Sequence, residues 1–162
     1  MKKIIALTMA ALMMIAVFAG CGSEKSESKA ASLNEVLTQI NKDFPDATKG
    51  LTELKEKSDL NRYYSIDESK VDDFAAEINT DSSKASLEIV IVKAKDSDAR
   101  DEIKEKLTNR YNAILSQYAS YSADQLKMAK DCGVTEVGDN YAVLVVAEDY
   151  DGITEIINGK LG

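Results

Sequence analysis

The chain has 162 residues, with 28 acidic and 20 basic side chains, a formal charge of −8, and neither histidine nor tryptophan. This length fits a single domain. The lack of histidine excludes Ser-His-Asp and Cys-His catalysis and imidazole metal sites, and the acidic balance argues against nucleic-acid binding, which needs a basic face.

Residues 1–20 have the pattern of an export signal. Two lysines precede an apolar run, Ile4 to Phe18, of about 15 residues. This run is shorter than the roughly 20 residues that span a bilayer, which favours a secretory signal peptide over a transmembrane helix. The run ends in Phe18-Ala19-Gly20-Cys21, which resembles the bacterial lipobox, with phenylalanine where leucine is usual.

The lipobox resemblance implies cleavage before Cys21 and a diacylglyceryl thioether on its sulfur. The alternative is a secreted protein whose signal merely ends near a cysteine. Residues 22–31 contain Ser, Glu, Lys, Ala and Gly and no large apolar side chain, and such a flexible tether has a reach of roughly 17–19 Å. We therefore expect a signal peptide over 1–20, a lipidated cysteine and tether over 21–31, and one domain over 32–162, with a charge of −10 after cleavage because residues 1–20 hold two lysines and no acid.

Two helical stretches are expected at the start of the domain. Ser32-Leu33-Asn34-Glu35 is a capping-box pattern, and the helix that follows it ends before Pro45. A second, less regular helical stretch runs from about residue 50 to 63.

Strands and helices then alternate in pairs. The segment 87–95 is apolar on both faces in its middle and 141–147 is apolar throughout, which is typical of well-covered strands. The predicted elements in chain order are a strand at 72–78, a polar loop at 79–86, a strand at 87–95, a long helix at 96–120, a short helix from Ser122 to about Asp131, a hairpin of 134–137 and 141–147, and a last helix at 153–161.

This order predicts an α+β fold. Hairpin connections favour a mainly antiparallel four-stranded sheet with helices packed on one face, preceded by the N-terminal helices.

Several stretches are characteristic when they are taken together and in this order. They are Tyr63-Tyr64-Ser65-Ile66-Asp67, Val71-Asp72-Asp73-Phe74, the strand from Ala85 to Lys93, the long charged helix, and the segment from Gly138 to Val146. Over roughly residues 33–160 the chain resembles one known family, the domain of unknown function 4358 (DUF4358), which occurs in extracytoplasmic bacterial lipoproteins. The family has no agreed activity, and the resemblance therefore implies fold and location only.

Four side chains are candidates for function. Tyr111, Tyr118 and Tyr121 are expected to share a face near the end of the long helix, and they either form an aromatic platform for a glycan or protein partner or line the edge of the core with hydroxyls at its rim. Cys132 is either a reactive thiol or a packing residue. The neighbouring Asp131 favours packing, because a negative charge raises the pKa of a thiol.

No catalytic set, cofactor site or metal site is predicted. Asp149-Tyr150-Asp151-Gly152 resembles part of a calcium loop but lacks its first ligand and its bidentate glutamate. The acidic run from Asp96 to Glu102 has no glycine and stands where acids favour a helix N-terminus.

These expectations combine into a non-enzymatic lipoprotein on the extracytoplasmic face of the cell membrane, anchored through the lipid on Cys21. It would bind an envelope protein or a glycan. The alternative is a small-ligand or cation receptor associated with a transporter, and an enzyme is the third reading.

Overall fold

The computed structural model describes residues 32–81 and 85–162. The signal peptide, Cys21 and the tether lie outside the described residues. No helix within the described ranges is both long and apolar enough to cross a membrane. The elements are α1 Leu33–Asp43, β1 Thr52–Leu54, α2 Lys57–Tyr64, β2 Val71–Ile78, β3 Glu88–Ala94, α3 Ser97–Tyr121, α4 Ala123–Lys130, β4 Gly133–Val137, β5 Tyr141–Val146 and α5 Tyr150–Leu161, with a 3-10 turn at Glu68–Lys70.

All strands in the described ranges belong to one antiparallel sheet in the order β1-β2-β3-β5-β4. The hairpin of β4 and β5 places β5 against β3, in a register that runs from Glu88 opposite Val146 to Lys93 opposite Tyr141. Every residue of β5 is buried, and in β3 only Lys93 is partly exposed. These two strands therefore form the centre of the sheet.

The expectation of helices on one face only is wrong, because helices cover both faces. α2, α3 and α4 pack on the face that carries Val90 and Leu144, whereas α1 and α5 pack on the face that carries Ile89 and Val143. The physical reason lies in β3 and β5, whose alternate residues are apolar on both sides. A sheet that is apolar on both faces must be covered on both faces.

The sheet has five strands instead of the predicted four. The extra strand, β1, lies inside the stretch that the sequence predicts as helical from residue 50 to 63, of which only α2 is a helix. Thr52 pairs with Ile78 and Leu54 with Ala76 at the sheet edge. Three residues, of which only Leu54 is buried, are too few to give an alternating pattern.

The cap signals in the sequence are confirmed. The Ser32 hydroxyl accepts a hydrogen bond from the Glu35 amide at 3.3 Å, and the Glu35 carboxylate accepts one from the Ser32 amide at 3.2 Å. Asp96 accepts a hydrogen bond from the Ala99 amide at 2.8 Å and begins α3. The acids near Asp96 therefore lie at a helix N-terminus, as predicted, where they stabilise the helix dipole.

One charged side chain is fully buried on the face covered by α2, α3 and α4. Glu88, the first residue of β3, has no exposed surface. The Tyr64 hydroxyl donates a hydrogen bond to its Oε2 at 3.0 Å, and Arg110 donates from both Nε, at 2.9 Å, and Nη2 to its Oε1. A single carboxylate on the sheet thus joins α2 to α3.

The surroundings of this cluster shift the pKa values of both donors. Burial raises the pKa of Tyr64 well above its usual value, and the nearby charge of Glu88 acts in the same direction. Burial disfavours the charged form of Arg110, but its hydrogen bond and ion pair with Glu88 outweigh this effect and raise its pKa. Arg110 is therefore a permanent cation, and Tyr64 remains a neutral donor.

We expect Arg110→Gln to lower the free energy of unfolding by about 3 kcal/mol, because it leaves the Glu88 carboxylate buried without a cation. The double variant Glu88→Gln/Arg110→Gln should recover part of this loss, since it buries no charge. Urea unfolding followed by circular dichroism measures both.

Lys104→Gln is the matched control on the same helix. Lys104 forms an exposed ion pair with Glu136, and loss of such a pair should cost less than about 1 kcal/mol. Equal losses for Arg110→Gln and Lys104→Gln would contradict the role assigned to the buried pair.

Candidate functional site

A groove of about 580 Å³ lies between the end of α4 and the turn that joins β5 to α5. Its volume falls in the range of small-molecule binding sites. The lining residues come from two segments that are distant in sequence: Asp124, Lys127, Met128, Asp131 and Cys132 from the first, and Ala147, Glu148, Asp149, Tyr150, Asp151 and Gly152 from the second.

Tyr111 fixes the wall that α4 provides. Its hydroxyl lies 2.8 Å from the carbonyl oxygens of both Ala129 and Cys132. Carbonyl groups at the end of a helix lack partners within the helix, and this hydroxyl supplies one from α3. The end of α4 is therefore held against the longest helix of the fold.

Cys132 lies at the base of the groove, half-buried. Its Sγ lies 3.3 Å from the Ala147 carbonyl oxygen and 3.4 Å from that of Met128. Burial raises the pKa of the Cys132 thiol, and Asp131 raises it further, in the direction expected from the sequence, while the Ala147 contact offsets part of the shift. The protonated thiol is therefore favoured, and it links α4 to the end of β5.

The opposite wall depends on the backbone conformation of Asp149 and on the small size of Gly152. Asp149 has a φ of 59°, in the left-handed region that non-glycine residues rarely adopt. At Gly152, an added Cβ would lie 2.5 Å from Cζ of Phe44, so the ring at the end of α1 packs directly on the first turn of α5. This close approach requires glycine.

Carboxylates dominate the electrostatics of the groove. Five acids line it, and Lys127 is the single basic residue among the lining residues. Within the described part of the chain, no ion pair and no side-chain hydrogen bond of these acids is found. Unneutralised charges of one sign in a concave surface attract the opposite charge, and the groove therefore favours a cationic group. The five acids are Asp124, Asp131, Glu148, Asp149 and Asp151.

These acids do not form a metal cage. Across residues 32–81 and 85–162, no group of three or more Cys, Asp or Glu side chains is placed to hold a metal ion. The segment from Asp149 to Gly152, tested above as a calcium loop, instead forms the β5–α5 turn and the first turn of α5. The carboxylates are spread over both walls, an arrangement that suits an extended organic cation better than a single ion.

The three candidate tyrosines have different environments. Tyr118 is 2% exposed, and burial raises the pKa of its hydroxyl, an effect that hydrogen bonding with Ser86 partly offsets. Tyr111 is half-buried on α3, and its hydroxyl contacts the end of α4. Tyr121 is 85% exposed at the end of α3. The structure thus places only Tyr121 fully at the surface, and a role for it in binding a partner stays a prediction.

Sequence reasoning does not find Glu88, Arg110 or the groove as a unit. The only signal for Glu88 is an acid at the start of an apolar strand, which does not reveal its partner on α3. The acids of the groove are visible in the sequence, but they come together only because the β4–β5 hairpin returns the chain to the end of α4.

Comparison with known families identifies the chain. The family model of the domain of unknown function DUF4358 matches residues 45–147, more than half of the sequence, and the protein belongs to this family. The matched segment contains the whole sheet together with α2, α3 and α4, and leaves α1 and α5 outside it. No curated protein and no solved structure matches the chain.

We expect Cys132 to react at least roughly tenfold more slowly with a disulfide reagent at pH 8 than glutathione does, because a raised pKa and partial burial both reduce the attacking thiolate. The rate should rise as the pH approaches the raised pKa of the thiol. Absorbance of the coloured thiol that the reagent releases measures the reaction rate. The Cys132→Ala variant gives the background, so that the difference between the two proteins is the reaction of Cys132. A rate equal to that of glutathione would contradict the inert environment described here.

Proposed function

We propose that this protein is a non-enzymatic binding domain, held at the extracytoplasmic face of the cell membrane by a lipid on Cys21. Its partner is an envelope protein or glycan that presents amino or guanidinium groups. The observation that carries the proposal is the groove beside Cys132, where five carboxylates without ion-pair partners in the described ranges line about 580 Å³.

The location rests on the N-terminal sequence. Lys2 and Lys3, the apolar run and Cys21 support export and lipidation, and residues 22–31 supply a tether. The charge of −10 that remains after cleavage repels an anionic membrane surface. A tethered acidic domain would therefore stay clear of the lipid headgroups and present its groove to cationic partners.

The absence of an enzymatic role rests on composition and on Cys132. With no histidine in the chain, the common general base is missing. Cys132 has a raised pKa, whereas nucleophilic thiols are activated by a lowered one. Both features support binding without chemistry.

A second candidate is a receptor for a small ligand or cation that acts with a transporter. The volume of the groove favours it, because about 580 Å³ accommodates a small molecule. The size of the domain weakens it, since roughly 130 residues are few for the two-lobed architecture common among solute receptors.

We expect Cys21→Ala to leave the protein unprocessed or to release it into the culture medium, because the variant has no sulfur to carry the lipid. Fractionation of cells, combined with labelling by a radioactive fatty acid, measures both effects. Cys132→Ala is the matched control and should stay in the membrane fraction with its label. Normal retention and labelling of the Cys21→Ala protein would exclude the anchor.

We expect the purified full chain in detergent to bind a lysine pentapeptide. The double variant Asp131→Asn/Glu148→Gln should weaken this binding roughly tenfold, because it removes two charge contacts that together contribute about 1.4 kcal/mol. Isothermal titration calorimetry measures the affinity. The control Glu105→Gln/Asp46→Asn removes the same charge from exposed positions outside the groove and should change affinity little.

Two outcomes decide between the candidates. Equal weakening by both double variants would assign the binding to the overall charge and contradict a role for the groove. Binding of free lysine or of calcium as tight as that of the pentapeptide would favour the receptor over the partner-binding domain.

A further inference from the structure

A second cavity, of about 350 Å³, lies between the C-terminal end of α2 and the middle of α3. A neighbouring cavity of about 240 Å³ shares Ser65 and Lys106 with it. We call the larger of the two the α2–α3 cavity. It is lined by Tyr63, Tyr64, Ser65, Lys106, Asn109, Arg110 and Ala113.

Arg110 enters this cavity already fixed in position. Two of its nitrogens, Nε and Nη2, bond to the buried Glu88 carboxylate, and Tyr64 occupies the other oxygen of Glu88. The third nitrogen, Nη1, has no hydrogen-bond partner in the described part of the chain. A guanidinium held by two bonds loses little freedom when its remaining nitrogen binds a ligand.

Other polar side chains that line the cavity also lack hydrogen-bond or ion-pair partners among the described residues. Lys106, half-buried one turn before Arg110 on α3, forms no ion pair within residues 32–81 and 85–162. The side chains of Ser65 and Asn109 likewise make no hydrogen bond that involves only described residues. A cation and two neutral polar groups therefore line the cavity beside Arg110.

The local charge is opposite to that of the molecule as a whole. Glu88 neutralises Arg110, and Lys106 remains as an uncompensated positive charge in the lining. Arg62 is a further cation on α2, with its guanidinium 5.3 Å from the centre of the Tyr63 ring, and Tyr63 lines the cavity. Because the whole chain is acidic, its long-range field repels anions. Binding of an anion in this cavity therefore depends on short-range contacts with its lining residues, which must outweigh the long-range repulsion.

We propose that the α2–α3 cavity is a binding site for a small molecule that bears a carboxylate or a phosphate, with Lys106 and Nη1 of Arg110 as the charged contacts. Ser65, Asn109 and Tyr63 supply neutral contacts to the remainder of the ligand. The site is separate from the acidic groove, which is built from α4 and the β5–α5 turn and has the opposite charge.

Three sugars of similar size test this site on the purified full chain in detergent. Glucuronate carries a carboxylate, glucose 6-phosphate carries a phosphate, and glucose carries neither. We expect at least one of the two anions to bind more tightly than glucose in isothermal titration calorimetry. The stronger anion identifies which oxyanion the cavity prefers.

Lys106→Gln assigns the binding to the cavity. Loss of one charge-assisted contact should weaken anion binding roughly tenfold. Lys104→Gln removes the same charge from the same helix but outside the cavity, where Lys104 pairs with Glu136, and it should leave the affinity unchanged. Arg110 is not varied here, because its loss leaves Glu88 unpaired and destabilises the fold.

Three results would overturn the proposal. They are the absence of binding for both anions, an affinity for glucose equal to theirs, and an equal effect of Lys106→Gln and Lys104→Gln. None of them bears on the groove beside Cys132, which is tested by a cationic probe and by different variants.

Discussion

Two strands, β3 and β5, are apolar on both of their faces, and the rest of the architecture follows from that constraint. Burial of a Val, Leu or Ile side chain contributes about 1.5–3 kcal/mol, and these strands carry such side chains at consecutive positions. Neither face can remain in water. α1 and α5 cover one face, α2, α3 and α4 cover the other, and the two cores stay separate on either side of the sheet.

Among the charged groups of the described residues, Glu88 is the one that is fully buried. This carboxylate lies fully buried because Arg110 and Tyr64 satisfy both of its oxygens. Removal of either charge alone would leave the other without compensation, which is why buried pairs are costly to break even where they add little net stability. The same pair orients Arg110 at the α2–α3 cavity, so that a structural interaction also prepares a cation for binding.

Local sequence signals predict the elements that have strong local causes. Ser32 with Glu35 begins α1, Asp96 begins α3, and the unbroken apolar run of β5 marks a central strand. The same run is apolar on both faces, but the order of the elements does not tell which helix packs on which side, and the prediction of helices on one face only is therefore wrong. β1 is missed because three residues show no period, and its pairing with β2 is a long-range contact.

The candidate sites are harder to predict, because they are built from contacts between distant segments. Asp131 follows α4 whereas Glu148 follows β5, and only the strand pairing places them on one groove. Lys106 and Ser65 look like ordinary surface residues in the sequence, and they meet because α2 packs on α3. Propensity and periodicity describe neighbours along the chain, and they contain no information on contacts between segments that are distant in sequence.

The position of β5 has a consequence for the order in which the molecule can assemble. β5 lies between β3 and β4, yet it comes near the end of the sequence, and α5, which closes the layer shared with α1, comes last. A chain that emerges from a ribosome or a membrane pore with its N-terminus first therefore has no partner for one edge of β3 until residue 146 has emerged. The contacts that stabilise the centre span much of the sequence, and topologies of this kind form slowly and cooperatively. The central strand pair therefore forms late, and until then one edge of β3 is open to pairing with other chains.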